Sequence, residues 1–263
     1  MQSTTTTANA TASGLQPAGL PDDPFLPAGA QDGIRVLGHR GAPAAGRPEN
    51  SVVAVTEALL LGADGVEVDV WLTEDGTLVC AHDLGSVADR SALATLPELL
   101  AAVERAAGAQ IVVEAKPVAD PVVAARTAAA VADVLRSSAG SAAVTVSSFD
   151  AALLAMIRAA CADLPVRTAL LGEKWQPAAE IVARAHAAGH DEAHLPLVAV
   201  RRAPETVETA RQLGLSVSIW TVNDRSDLQW VAGLGVAAVI TDDVTTAWSE
   251  LDRAAAVREM VAA

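Results

Sequence analysis

The sequence predicts an α/β protein built as a single (β/α)8 barrel, on three observations. From residue 34 onward, short β-branched runs alternate with Ala-rich stretches of helical length, the pattern of strand and helix units around a parallel sheet. Eight such runs can be read, and charged residues collect near their carboxyl ends, where barrels of this kind build their chemistry. No glycine-rich dinucleotide turn of the kind an open, doubly wound sheet carries is seen. At 263 residues and 51% hydrophobic, the chain can bury such a core as one domain.

Residues 1–33 are expected to be a flexible tail. The first thirty carry no Lys or Arg and no continuous apolar core, which does not fit a signal peptide, and their Ser/Thr/Ala/Pro composition buries too little surface to offset ordering. The domain then occupies 34–263. Its first strand is "IRVLG" from Ile34, followed by the loop "HRGAPAAGRPEN" and a helix opening near Ser51. The second, "GVEVDV" from Gly65, runs into "WLTEDGTLVCAHD", where Asp75-Gly76 signals a hairpin: an excursion above the sheet before the helix near Leu96. Then come "QIVVEA" from Gln110, "AVTVSS" from Ala143, "RTALL" from Arg167, "AHLPLV" from Ala193, "SVSIWT" from Ser216 and "AAVIT" from Ala237. Their helices open near Pro121, Asp150, Pro177, Pro204, Asp224 and Val244, several on a cap residue or an early proline.

Bulk properties narrow the partners. With 32 acidic against 18 basic residues and a net charge of −14, a nucleic acid or an anionic membrane is excluded as the main partner, and 3% aromatics without tyrosine make no base-stacking platform. No stretch has spanning length and apolarity, so no integral membrane segment is expected. Cys80 and Cys161 cannot make a disulfide framework or a zinc cage and are expected as small buried hydrophobes. With no export signal, the default location is cytoplasmic.

Against this acidic background one positive cluster stands out. Within "GVEVDV", period-two alternation aims Glu67 and Asp69 to one side and Val66, Val68 and Val70 to the other; Glu114 and Lys116 in "VVEAKP" repeat the arrangement. If the strands are neighbours, three carboxylates converge, and at roughly 4 Å and an effective dielectric near 20 each pair repels by about 4 kcal/mol. One divalent cation resolves this, and all-oxygen ligation favours Mg²⁺ or Ca²⁺. A competing reading pairs Glu67 with Arg40 or Arg47 and lets Asp69 cap the hairpin; it suits either carboxylate alone better than all three together. His39 and His82 both fall at the same barrel mouth, and two imidazoles flanking a scissile bond can serve as base and acid. Arg40 offers planar donors to a phosphate oxygen and Lys116 a point charge, so the substrate expected is a phosphoryl compound. His186, His190 and His194 are read as structural hydrogen-bonders.

The stretch "LGHRGAPAAGRPENSVVAVTEALLLGADGVEVDVWLTEDGTLVCAHD" resembles the opening of the glycerophosphodiester phosphodiesterases, with HRG, PEN followed by Ser, E-x-D, T-x-D-G and HD in order; "VEAKP", "VSSFD", "WTVND" and "ITDD" look like the same family's strand ends. The likeness spans residues 34 to about 245. It implies a TIM-type barrel that hydrolyses glycerophosphodiesters to sn-glycerol 3-phosphate and an alcohol with a divalent ion. His39 and His82 would be the acid/base pair, leaning to His39 as base; Glu67, Asp69 and Glu114 the metal ligands; Arg40 and Lys116 the phosphate holders. Glu49 would be a ligand or an orienter of Arg40, Asn50 a helix cap, and Trp220 either an apolar wall for substrate or a core residue. One departure concerns the segment after His82, where relatives carry a sizeable insertion and this chain only "DLGSVADRSALATLP". A shortened lid would admit bulkier diesters, so a phospholipase D-like activity on lysophospholipids or sphingolipids is the enzymatic rival. A noncatalytic phosphate-binding barrel is the rival of another class, although no ligand or histidine is missing.

Overall fold

A computed structural model describes residues 33–86, 92–138 and 142–251. The expected tail up to residue 32, the middle of the shortened segment after His82 and the last twelve residues lie outside them. Strand β1 is Arg35–His39, followed by helix α1, Val52–Leu60, and β2, Gly65–Leu72. β3, Leu78–Cys80, and α2, Leu96–Val103, precede β4, Gln110–Ala115, and α3, Pro121–Ser137. Next come β5, Ala143–Ser148, α4, Ala151–Ala160, β6, Val166–Leu171, and α5, Ala178–Ala187. β7, Glu192–Pro196, leads to α6, Leu197–Arg202, and α7, Glu205–Gln212; then β8, Ser216–Trp220, α8, Arg225–Val231, and β9, Ala238–Thr241, before helical residues 244–251.

Eight of these strands are parallel neighbours in the cyclic order β1, β2, β4, β5, β6, β7, β8, β9, and β1 pairs with both β2 and β9, so the barrel closes. The excursion is present: β3 runs antiparallel to β2 with Leu72 opposite Leu78. Its turn is longer than a two-residue loop. The Thr73 amide donates to the Thr77 carbonyl, and Gly76 at φ +90° donates back to Thr73, so the glycine supplies the left-handed residue of a three-residue connection. One boundary differs from the sequence reading. "AHLPLV" leaves the sheet at Pro196, and the Leu197–Arg202 segment continues as a short helix burying Ala199 and Val200. A continuous apolar run suits a buried helix as well as a strand, so periodicity alone could not separate them.

Alternation along each strand divides the core. Val66, Val68 and Val70 face the helices, fully buried in the main apolar cluster. The barrel interior holds a second, small cluster of Leu37, Val112, Ala238 and Ile240, with Trp220 packed on it. Buried polar groups occupy much of the rest. Gln110 donates to Thr145, Thr145 donates to Glu192, and Arg167 and His194 each lie 3.2 Å from a Glu192 oxygen. Burial opposes ionisation of Glu192, but the hydrogen bond and charge of His194 and the guanidinium groups of Arg167 and Arg35 outweigh it and hold the carboxyl below its ordinary value. His190 bonds Thr168, and both cysteines are free and buried. Among the described residues, no helix is long and apolar enough to cross a membrane.

Candidate active site

The end of β1 turns sharply because Arg40 (φ 57°) and Gly41 (φ 85°) are consecutive left-handed residues. A Cβ on Gly41 would lie 2.6 Å from the Ala54 carbonyl carbon of α1, so only glycine lets the loop close on that helix. The turn delivers the Arg40 amide to Glu67 Oε2 at 3.1 Å, leaving the Arg40 guanidinium 2.8 Å from Glu49 and 3.4 Å from Asp69. Arg47 sits elsewhere, paired with Glu57 of α1.

Asn50 is not the helix cap. Ser51 takes that position, its Oγ accepting from the Ala54 amide at 3.1 Å. Asn50, buried and at φ 55°, instead clamps Asp69: its Nδ2 donates to Asp69 Oδ2 at 2.8 Å while its Oδ1 accepts from the Asp69 amide at 2.9 Å. The side chain is thereby committed to two-way recognition of one residue, while a serine, which can rotate to meet a free helix amide, is enough for the cap.

Parallel register sets Asp69 of β2 opposite Glu114 of β4. With Glu67 they form a buried trio whose ligand atoms all lie within 4.8 Å of one another. Lys116 Nζ lies 2.6 Å from both Asp69 Oδ1 and Glu114 Oε1. One ammonium cannot serve three carboxylates equally. Burial disfavours all three charges; Lys116, Asn50 and Arg40 overcome it at Asp69, whose carboxyl is lowered, whereas burial prevails at Glu114, which is raised. Glu67 is raised well above its ordinary value, first by burial and then by the charges of Asp69 and Glu114. Its Oε1 is buried with no hydrogen-bond partner. An orphaned carboxylate oxygen among three clustered acids is what an oxygen-ligated divalent cation fits.

His39, at the end of β1, places Nδ1 2.6 Å from Asp242 Oδ1 and Nε2 4.0 Å from Glu67 Oε2. Asp242, just after β9, is itself braced: Asn223 Nδ2 donates to its second oxygen at 2.7 Å, and its amide donates to Asn223 Oδ1 at 2.9 Å. The hydrogen bond from His39 is the main reason the Asp242 carboxyl is lowered, against partial burial. His82 is largely exposed at the same mouth, and its partial desolvation, with the positive charges of Lys116 and Arg40, lowers its pKa. A cavity of about 370 Å³ joins these groups: His39, Arg40, Glu67, His82, Glu114 and Lys116 line one side, and Phe149, Lys174 and Trp220 the other. Trp220 meets Phe149 edge to face at 5.8 Å.

The sequence points to the groups that line the acidic side of this cavity but not to those that hold them. Asp242 and Asn223 lie inside "ITDD" and "WTVND", which read in the sequence only as strand ends, and Asn50, expected as a helix cap, holds Asp69 instead. The signal available was position: β8 and β9 are adjacent, so the residues just beyond them meet beside β1.

The model of the glycerophosphoryl diester phosphodiesterase family matches residues 39–96 and 86–246. The chain belongs to that family. Its members are phosphoric diester hydrolases. Among the relatives of this phosphodiesterase is a Mycobacterium tuberculosis protein named "Probable glycerophosphodiester phosphodiesterase 1", 32% identical over 83% of this chain and 93% of its own length. Two solved structures share the fold. The Thermotoga maritima glycerophosphodiester phosphodiesterase has a TM-score of 0.64 at 25% identity, over 81% of this chain and 96% of that one. An Oleispira antarctica phosphodiesterase, in complex with its product sn-glycerol 3-phosphate, has 0.69 at 21% identity, over 87% and 98%.

Proposed function

We propose that this phosphodiesterase hydrolyses glycerophosphodiesters to sn-glycerol 3-phosphate and an alcohol, with His39 and His82 transferring protons and Glu67, Asp69 and Glu114 seating one divalent cation, Mg²⁺ or Ca²⁺. The observation that carries this reading is the opening of both imidazoles onto one cavity that Glu67 and Glu114 also line. When bound, the cation supplies Lewis acidity to a phosphoryl oxygen.

The remaining steps belong to the chain. The 2.6 Å contact with Asp242 favours the His39 tautomer with its proton on Nδ1 and leaves the Nε2 lone pair to take a proton from the attacking oxygen, of water or of the substrate's own adjacent hydroxyl, which supports His39 as the base. Partial burial and the charges of Lys116 and Arg40 lower the pKa of His82. An anionic diester seated against Arg40 and Lys116 offsets those cations and so favours the protonated His82 that gives its proton to the leaving alkoxide. Arg40, steered by Glu49, and Lys116, held between Asp69 and Glu114, meet the phosphate charge. Trp220 and Phe149 form the apolar wall.

His39→Ala and His82→Ala should each lower kcat by about 10²- to 10⁴-fold, the usual worth of general acid–base catalysis, with cation affinity unchanged. Turnover of glycerophosphodiesters with and without a chelator is the direct test; retention of most activity in both variants rejects the assignment. One observation favours a second reading. Trp175, 72% exposed, follows the cavity-lining Lys174, an apolar group at the mouth suited to a lysophospholipid chain. Mass spectrometry of the products from lysophosphatidylcholine and glycerophosphocholine separates the two.

A further inference from the structure

The side of the cavity away from the acidic trio is built by β5 to β8 and the loops that follow them, and its chemistry is unlike the catalytic side. Ser147, Phe149, Leu171, Lys174, His194 and Trp220 line it, and none is acidic. The acidic residues lining the cavity, Glu67 and Glu114, belong to β2 and β4. Of the three lining Arg and Lys residues, Arg40 is paired with Glu49, and Lys116 with Asp69 and Glu114. Lys174 has no carboxylate partner among the described residues. Its ammonium lies 5.7 Å from the centre of the Trp220 ring.

That position is held by the loop. The Gly172 amide continues the β6 to β7 ladder by donating to the His194 carbonyl, and a Cβ at Gly172 would overlap Ile181 of α5, so the chain runs tight against the helix. Gln176, buried, then closes a four-residue turn: its side-chain oxygen accepts from the Glu173 amide at 2.8 Å and its own amide donates to the Glu173 carbonyl at 3.0 Å. Lys174 and Trp175 form the tip of that turn.

A cation over an indole face occupies the site that a quaternary ammonium group would otherwise take. An incoming trimethylammonium would meet a like charge there and find no carboxylate on that side. Hydroxyl groups or a second anion would instead find the Lys174 ammonium. We propose that Lys174 is a specificity-determining residue, selecting glycerophosphodiesters whose alcohol arm is an uncharged polyol or an anion and rejecting those whose arm carries a quaternary ammonium.

The proposal rests on the hydrolase reading, and the test separates the two. Purified full chain is assayed for kcat/KM on glycerophosphoglycerol and glycerophosphocholine, as wild type, Lys174→Met, which keeps the apolar stem, and Lys174→Glu. The wild type should prefer glycerophosphoglycerol by about tenfold, the scale of one like-charge contact at a partly hydrated rim. Lys174→Met should bring the ratio within about twofold, and Lys174→Glu should invert it. A ratio that moves less than twofold in both variants, or an equal loss on both substrates, overturns the proposal. Absence of turnover of both diesters by the wild type overturns instead the hydrolase reading on which it stands.

Discussion

Asp242 meets Nδ1 of His39, the ring nitrogen opposite the one that faces Glu67. At 2.6 Å it fixes the tautomer and the ring plane, and Asn223 fixes Asp242 in turn. Asp242→Asn should therefore lower kcat by about 100-fold with KM nearly unchanged, because the amide can present a donor to Nδ1 and stabilise the wrong tautomer. Steady-state kinetics check this, and a KM effect alone would assign Asp242 to binding. Glu67 carries a second prediction. Burial, then Asp69 and Glu114, raise its carboxyl above the ordinary 4.5, so in cation-free protein its stabilising contribution is complete below that value and is lost as pH rises through the folded one. Melting of chelator-treated protein should show Glu67→Gln gaining Tm over wild type progressively as pH rises above 4.5, the ordinary value; a constant difference would contradict the buried charge. The trio itself was legible because alternation and parallel register are local rules. Asp242 was not: it lies 203 positions from His39, and no spacing rule reaches across a closed barrel.

The elements carry their own signals where the cause is short-ranged. Asp120 and Asp150 cap α3 and α4, each accepting two amides with one carboxylate oxygen, and helix starts near Pro121 and Asp150 were readable for that reason. Asp150→Ala should cost about 1 kcal/mol, or roughly 3 °C in Tm, and leave kcat/KM within about twofold, since its bonds stay inside α4. Calorimetry with a parallel assay decides; a large activity loss would move Asp150 into the site. The hairpin was readable from Asp75-Gly76, but its tip is also tied by Arg126 of α3 to the Glu74 carbonyl, a contact no turn rule contains. At β7 the apolar run misled, because Pro196 ends the strand while the residues after it remain buried in α6.

At the scale of the whole molecule, closure was predictable from eight repeated units, while the polar interior around Glu192 was not, since each member is an isolated polar residue in its own strand. A cation that binds the folded trio and not the unfolded chain stabilises by mass action, about 2.7 kcal/mol at a hundred times its Kd. Adding Mg²⁺ or Ca²⁺ to chelator-treated protein should thus raise Tm by roughly 5–10 °C, and Glu67→Gln should abolish the rise; thermal melts at graded cation concentration read both. The imidazole on the first stave takes its orientation from a carboxylate just past the last one, so with His39 as the proposed base a nascent chain should not acquire full turnover until the ring has been sealed. On that proposal, onset of activity would also report that synthesis and assembly have reached the final strand, and partly folded intermediates should show far less of it.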